Sequence, residues 1–171
     1  TAGGLLLIPE GQIRFVVGDG KVLRETAAVR GGVGAGDIVF HAFAADGRVR
    51  WWDRTGKEKA IRPAAGTTRI AFAASGSLIA TWGGGNAAEL WSPDGKKLGE
   101  LSHGGRVEEV AISATGVRVV SAADDGQHSI WTGEGKLTRR VPKRGPCRFL
   151  DASSPVGIWV ARVPDGAEVY V

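Results

Sequence analysis

Three side chains between positions 103 and 125 are of the types that make a nucleophilic catalytic site: His103, Ser121 and Asp125. A Ser hydroxyl becomes a nucleophile when an imidazole takes its proton, and a carboxylate can hold that imidazole in the required tautomer. Such a site also needs an exposed hydroxyl beside groups that stabilise an oxyanion. Nothing in the sequence supplies such groups, so we expect no catalytic residues.

Other residue types that could carry chemistry occur singly. His41, His128 and Cys147 have no metal-ligand spacing to one another, so we expect no metal site and no cofactor. The glycine-rich stretches 30–36 and 83–85 do not end in the Lys-Ser/Thr of a phosphate-binding loop and do not open a recognisable helix. We interpret both stretches as turns, the first being a poor strand as well.

The elements that must position these residues are short strands. Within 103–136, three runs rich in Val and Ile cover 107–113, 117–122 and 127–132. Ala-Thr-Gly and Asp-Asp-Gly separate them. Turn residues of this kind between β-branched runs predict consecutive tight hairpins.

The same unit recurs along the chain. An aromatic residue returns at intervals of 37, 39, 40 and 39 residues, at Phe15, Trp52, Trp91, Trp131 and Tyr170. A turn holding Gly precedes each of these aromatics, and a turn ending in Gly-Lys follows each of the first four. A period near 40 with short strands predicts an all-β chain built from four-stranded antiparallel blades, a β-propeller or part of one with about four to five blades.

The repeat resembles the WD-repeat family, whose units end in Trp-Asp. Trp52-Asp53 is the one full pair, whereas Trp91-Ser92 and Trp131-Thr132 keep the Trp with a small hydroxyl residue. The resemblance covers essentially the whole chain with degenerate copies. It implies a structural hydrogen-bond network among four residues of one blade, namely His103, Ser121, Asp125 and Trp131.

The physical chemistry of that network agrees with a structural role. A buried indole N–H needs an acceptor, and a Ser hydroxyl can accept it while donating onward to an imidazole. Other copies hold only part of the set, because Gly85 and Ala42 stand where Asp and Ser would be expected. A partial set is typical of a structural motif and not of an active site.

The repeat register predicts a single propeller segment over 1–171. Its expected parts are a partial blade at 1–28, blades at about 29–63, 64–103 and 104–143, and a partial blade at 144–171. This count lacks one inner and one outer strand. Three arrangements remain open: a segment of a longer propeller completed by another chain, which we favour, a protomer that closes its ring by oligomerising, and a small closed ring.

Composition limits the class of partner. The formal net charge is +4 with a pI near 9.6, which makes a nucleic-acid partner an alternative, but the basic residues are spread thinly. No apolar run is long enough to span a bilayer and no signal peptide is recognisable. With one cysteine we expect a reducing, cytoplasmic setting, and the Ala, Gly and Arg content suits a high-GC bacterium.

The resemblance implies a non-catalytic protein-interaction scaffold or sensor module in a larger multidomain or two-chain protein. Its partners would be proteins, either a second chain that completes the propeller or a fused effector domain. A nucleic-acid-binding propeller is the alternative, and a propeller-type enzyme ranks last. Candidate binding residues lie near the starts of the inner strands, with one tryptophan that packing would explain equally well: Arg69, Arg106, Arg144, Arg148 and Trp82.

Overall fold

Strands and turns make up the whole described part of the chain. The computed structural model describes residues 5–7, 12–16, 22–27, 30–53, 55–143, 159–163 and 166–170. None of these residues belongs to a helix that is long and apolar enough to cross a membrane. The strands are β1 (Leu5–Leu7), β2 (Gln12–Val16), β3 (Val22–Ala27), β4 (Arg30–Val33), β5 (Ile38–Phe43), β6 (Val49–Asp53), β7 (Glu58–Ile61), β8 (Arg69–Phe72), β9 (Ile79–Trp82), β10 (Ala87–Trp91), β11 (Lys97–Ser102), β12 (Val107–Ile112), β13 (Arg118–Ala123), β14 (Gln127–Thr132), β15 (Leu137–Pro142), β16 (Trp159–Val163) and β17 (Gly166–Tyr170).

The chain divides into two compact units, Thr1–Pro63 and Ala64–Val171. The first unit contains a three-stranded sheet, β1-β2-β3, and a four-stranded sheet, β4-β5-β6-β7. The second contains the four-stranded sheets β8–β11 and β12–β15 and the hairpin β16-β17. All pairings join neighbours in the sequence and are antiparallel, so each sheet is an up-and-down meander.

Glycines form the turns within the sheets. In the sheet β12–β15, Gly116 has φ 78° and Gly126 has φ 77°, values that only glycine adopts without strain. The amide of Gly116 donates to the carbonyl of Ser113 at 2.9 Å and closes the β12–β13 turn. The Gly-containing segments that the sequence analysis placed between the strands are therefore tight turns, with glycine in the left-handed region.

The core of the second unit lies between the sheets β8–β11 and β12–β15. Alternation along the strands turns the apolar face of one sheet toward that of the other. The buried cluster between them contains Ala73, Leu78, Ala80, Trp82, Ala88, Leu90, Leu101, Val107, Val110, Ile112, Val119 and Trp131. Burial of this apolar surface is the main stabilising contribution to the pair of sheets.

The two ends of these sheets carry different turns. We call the end with the β9–β10 and β13–β14 turns, 83–86 and 124–126, the upper end, and the opposite end the lower end. At the upper end the amide of Val107 donates to the carbonyl of Gly85 at 3.0 Å. At the lower end the amide of Ser75 donates to the carbonyl of Ala114 at 2.9 Å. Backbone hydrogen bonds therefore join the two sheets at both ends.

Candidate functional site

Ser121 lies at the centre of a buried hydrogen-bond network in the sheet β12–β15. The indole N–H of Trp131 on β14 donates to Ser121 Oγ at 2.7 Å, and Ser121 Oγ lies 2.7 Å from His103 Nε2. The hydroxyl accepts from the indole, and it can donate its own proton to Nε2 when the imidazole carries its proton on Nδ1, the nitrogen that faces Asp125. The imidazole and indole rings also meet edge to face with centroids 5.6 Å apart.

Asp125 lies at the other side of the imidazole. Its Oδ2 is 3.4 Å from His103 Nδ1, and its two oxygens accept the amides of Gln127 at 2.9 Å and Gly104 at 3.0 Å. Burial acts to raise the pKa of Asp125, but the two backbone N–H groups and His103 outweigh it and hold the pKa below its ordinary value. The carboxylate is therefore ionised and fixes both the imidazole and the β13–β14 turn.

The network is closed to substrates. Ser121 is 0% exposed and His103 is 5% exposed. The Ser121 hydroxyl already hydrogen-bonds both Trp131 and His103. Since a nucleophile must meet its substrate, this Ser-His-Asp arrangement serves to hold β13, β14 and the segment before β12 together.

The neighbouring sheet β8–β11 contains a reduced form of the same arrangement. The Trp91 indole N–H donates to Thr81 Oγ1 at 2.9 Å, and Thr81 is 1% exposed. Asn86 Nδ2 donates to the carbonyl of His103 at 3.3 Å, which links this sheet to the segment that carries the imidazole. A Trp with a hydroxyl acceptor is thus the part shared by the two sheets.

The candidate binding residues that the structure describes lie at the upper end. Arg69 is exposed, and its Nη1 donates to the carbonyl of Glu108 at 2.8 Å. Arg106 Nε lies 3.8 Å from Asp124 Oδ2, and its side chain is 65% exposed. Arg144 and Arg148 lie outside the described residues.

Trp82 belongs to the core and contacts the same residue as Arg69. It is 6% exposed, and its indole N–H donates to the carbonyl of Glu108 at 3.3 Å. Trp82 is also the register partner of Arg69 across β8 and β9. The structure therefore brings Arg69 and Trp82 together at Glu108, with the guanidinium exposed and the indole buried.

Glu108 was not recognisable as a site residue from the sequence. Its carbonyl accepts Arg69 and Trp82, while its carboxylate accepts Lys143 Nζ. Glu108 and Lys143 are far apart in the sequence and belong to no motif. β12 and β15 are the two edge strands of their sheet, so only the folded structure shows that Lys143, just after β15, reaches Glu108. No group of three or more His, Cys, Asp or Glu side chains within the described ranges is arranged to hold a metal ion.

Acidification should weaken the network. Burial lowers the pKa of His103 below 6.5, with Arg140 acting in the same direction and Asp125 opposing it. Below pH 6.5 the unfolded chain therefore binds more protons at this residue than the folded chain, and stability is lost as pH falls. We expect the urea midpoint of the wild type to fall more than that of His103→Gln between neutral pH and about pH 5. Parallel pH profiles for the two proteins would contradict this expectation.

Comparisons with known structures identify the architecture. Kluyvelomyces marxianus Hsv2, a yeast WD40 propeller protein, is 13% identical with a TM-score of 0.68, over 97% of this chain and 61% of that one. The designed propeller Ika8 is 21% identical with a TM-score of 0.61, over 96% of this chain and 57% of that one. The designed Ika4 is 24% identical with a TM-score of 0.58, over 80% of this chain and 86% of that one.

These likenesses define the fold class. The prediction of an all-β propeller, or part of one, is confirmed. This chain spans about three fifths of the length of Hsv2 and a similar share of Ika8. No family model matches the sequence, and no curated protein matches it.

Proposed function

We propose that this chain is a non-catalytic protein-interaction scaffold built from WD-repeat-like blades, working as part of a larger multidomain or two-chain protein. The propeller fold supports the proposal at a coarse level, because rigid blades hold the turns at their ends in fixed positions. The buried network supports the WD-repeat likeness, since Trp131 and His103 both hydrogen-bond Ser121 and the Asp125 carboxylate lies 3.4 Å from the imidazole, as the likeness implies.

The observation that carries the proposal is the pair of exposed guanidinium groups at the upper end. Arg69 is held on one side by the carbonyl of Glu108, which leaves its other N–H groups free to bind a ligand. Arg106 is held loosely near Asp124 on the adjoining sheet. Two positioned guanidinium groups suit the carboxylates of an acidic peptide, because each can bind a carboxylate through two parallel hydrogen bonds.

Selection from a displayed peptide library would test this function. We expect the wild-type protein to enrich peptides rich in Asp and Glu, and each of Arg69→Ala and Arg106→Ala to weaken the best of them about tenfold. Arg139→Ala, which removes an exposed cation on β15, is the matched control and should bind normally. Equal binding by all four proteins would exclude the upper-end arginines as the site.

The second candidate function is nucleic-acid binding, and β15 is the feature that favours it. Thr138, Arg139 and Arg140 are exposed on this outer strand, and no carboxylate lies on it. Titration with a labelled oligonucleotide tests this function. An affinity that falls steeply as the salt concentration rises, and that depends on Arg139 and Arg140, would support nucleic-acid binding. A slope of about −2 to −3 in a plot of log binding constant against log salt concentration corresponds to two or three phosphate contacts.

A further inference from the structure

Three exposed aliphatic side chains gather at the lower end of the second unit. Leu98 and Leu137 are each 39% exposed and stand near the starts of the outer strands β11 and β15, and Val117, just before β13, is 60% exposed. Among the residues whose side chains the structure describes, these are the only exposed large hydrophobic ones. Their location at one end is informative, since isolated exposed aliphatics would be scattered.

The β14–β15 turn, 133–136, connects the three residues. The amide of Gly133 donates to the carbonyl of Val117 at 2.9 Å, and Leu137 directly follows the turn. Gly99, next to Leu98, packs so closely on the turn that an added Cβ would overlap the carbonyl of Glu134. Leu98, Val117 and Leu137 therefore each contact this turn through the backbone or adjoin a residue that contacts or belongs to it, and we call these three residues the turn patch.

Each residue of the turn patch has a cation beside it in the sequence: Lys97 before Leu98, Arg118 after Val117 and Lys136 before Leu137. Lys97 is bonded to Glu89 and Glu100. By contrast, the side chains of Arg118 and Lys136 form no ion pair within the described residues. The turn patch thus combines exposed apolar surface with unpaired positive charge.

We propose that the turn patch docks an extended segment of a partner protein in which leucine-like residues alternate with Asp or Glu. The apolar side chains would cover Leu98, Val117 and Leu137, while the carboxylates would meet Arg118 and Lys136. Glu134 is exposed on the same turn and opposes any anion placed over it, so the carboxylates of the segment would have to lie beside Arg118 and Lys136. An anionic membrane is the alternative ligand, and the vesicles in the test below distinguish it. This site lies at the opposite end from Arg69 and Arg106, so it does not depend on the function proposed for them.

The test uses a fluorescent peptide built only from Leu, Asp and Glu, with two comparison peptides of equal length. One replaces the acids by Lys, and the other replaces Leu by Ser. We expect saturable binding of the acidic apolar peptide alone. The double variant Val117→Ser/Leu137→Ser should weaken it at least tenfold and Arg118→Ala several-fold, because both change groups that contact the peptide. All changed residues are exposed, so the urea midpoint of each variant should match the wild type.

Arg106→Ala is the control for location and should leave this binding unchanged. If Arg106→Ala removed the binding and Val117→Ser/Leu137→Ser did not, the peptide would occupy the upper end and the turn-patch proposal would be wrong. The proposal would also be overturned by an absence of saturable binding. A third contradiction would be binding to vesicles of phosphatidylserine, lost in Val117→Ser/Leu137→Ser, with none of the peptides bound.

Discussion

Replacing Ser121 with Ala is expected to lower the free energy of unfolding by about 3 kcal/mol, since each buried polar group left without a partner costs roughly 1–3 kcal/mol. The change removes the acceptor of the Trp131 indole N–H and the partner of His103 Nε2, both at 2.7 Å. Water cannot replace the hydroxyl from outside, because Ser121 is 0% exposed. Urea unfolding followed by tryptophan fluorescence measures the loss.

Ser129 provides the matched control for this experiment. It is the cross-strand partner of Ser121 in the same sheet and is likewise 0% exposed, but its Oγ has no hydrogen-bond partner among the described residues. We therefore expect Ser129→Ala to change stability by less than about 0.5 kcal/mol, or to increase it slightly. Similar losses in the two variants would mean that burial of a small side chain, and not the network, sets the stability here.

A double-mutant cycle with Trp131→Phe separates the hydrogen bond from the packing of the ring. Phe keeps an aromatic ring against the core but cannot donate to Ser121 Oγ. If the Ser121–Trp131 hydrogen bond is formed in solution, the two substitutions together should cost less than the sum of their separate effects. Strict additivity would place the stabilising contribution of Ser121 in its contact with His103.

The periodic features of the chain allowed its fold to be predicted. Aromatic residues at a spacing near 40 and left-handed glycine turns are local signals that recur in phase, so they locate the strands without knowledge of tertiary contacts. The stretch 30–36 gave a weaker signal because of its glycines, yet Arg30–Val33 pairs in register with 40–43 as β4. Pairing with an adjacent strand outweighs the low strand preference of glycine at this position.

The variation after the repeated Trp has a physical explanation that the sequence did not show. Asp53 Oδ1, Ser92 Oγ and Thr132 Oγ1 each accept the backbone amide of the lysine four positions later, at 3.1, 3.2 and 3.2 Å. Any short side chain with an oxygen acceptor can close this turn. Asp, Ser and Thr are therefore interchangeable here, and the incomplete Trp-Asp pairs retain their local function.

The upper-end contacts could not be predicted because they depend on atoms that every residue has. Arg69 and Trp82 both donate to the backbone carbonyl of Glu108, and a carbonyl carries no sequence signal. The pairing of Lys143 with Glu108 likewise connects the two edges of one sheet, which spacing along the chain does not show. The sequence pattern therefore identified Arg69 and Arg106 as candidates, but not Glu108, which positions Arg69.

The second large effect is expected at Gly99, where the backbone of β11 packs against the β14–β15 turn of the adjoining sheet. A Cβ at this position would overlap the carbonyl oxygen of Glu134 and lie 3.2 Å from the Cα of Gly135. Both atoms belong to the backbone of the β14–β15 turn, so no side-chain rotation can relieve the overlap. Gly99→Ala should therefore destabilise the protein by about 2 kcal/mol, within the range for overpacked sites.

The direction of the stability change on Gly→Ala substitution distinguishes a close backbone contact from open space. In an open strand, Gly→Ala stabilises by about 0.5–1 kcal/mol because alanine has less backbone freedom to lose on folding. Gly85, in the β9–β10 turn, has open space around it, since nothing lies within 4 Å of an added Cβ. Gly85→Ala should therefore be neutral or stabilising. Urea midpoints of the two variants should therefore move in opposite directions from the wild type, or at least differ by the cost of the overlap at Gly99. If Gly99→Ala instead raised the midpoint as much as Gly85→Ala, the backbones of β11 and the β14–β15 turn could not be in contact in solution.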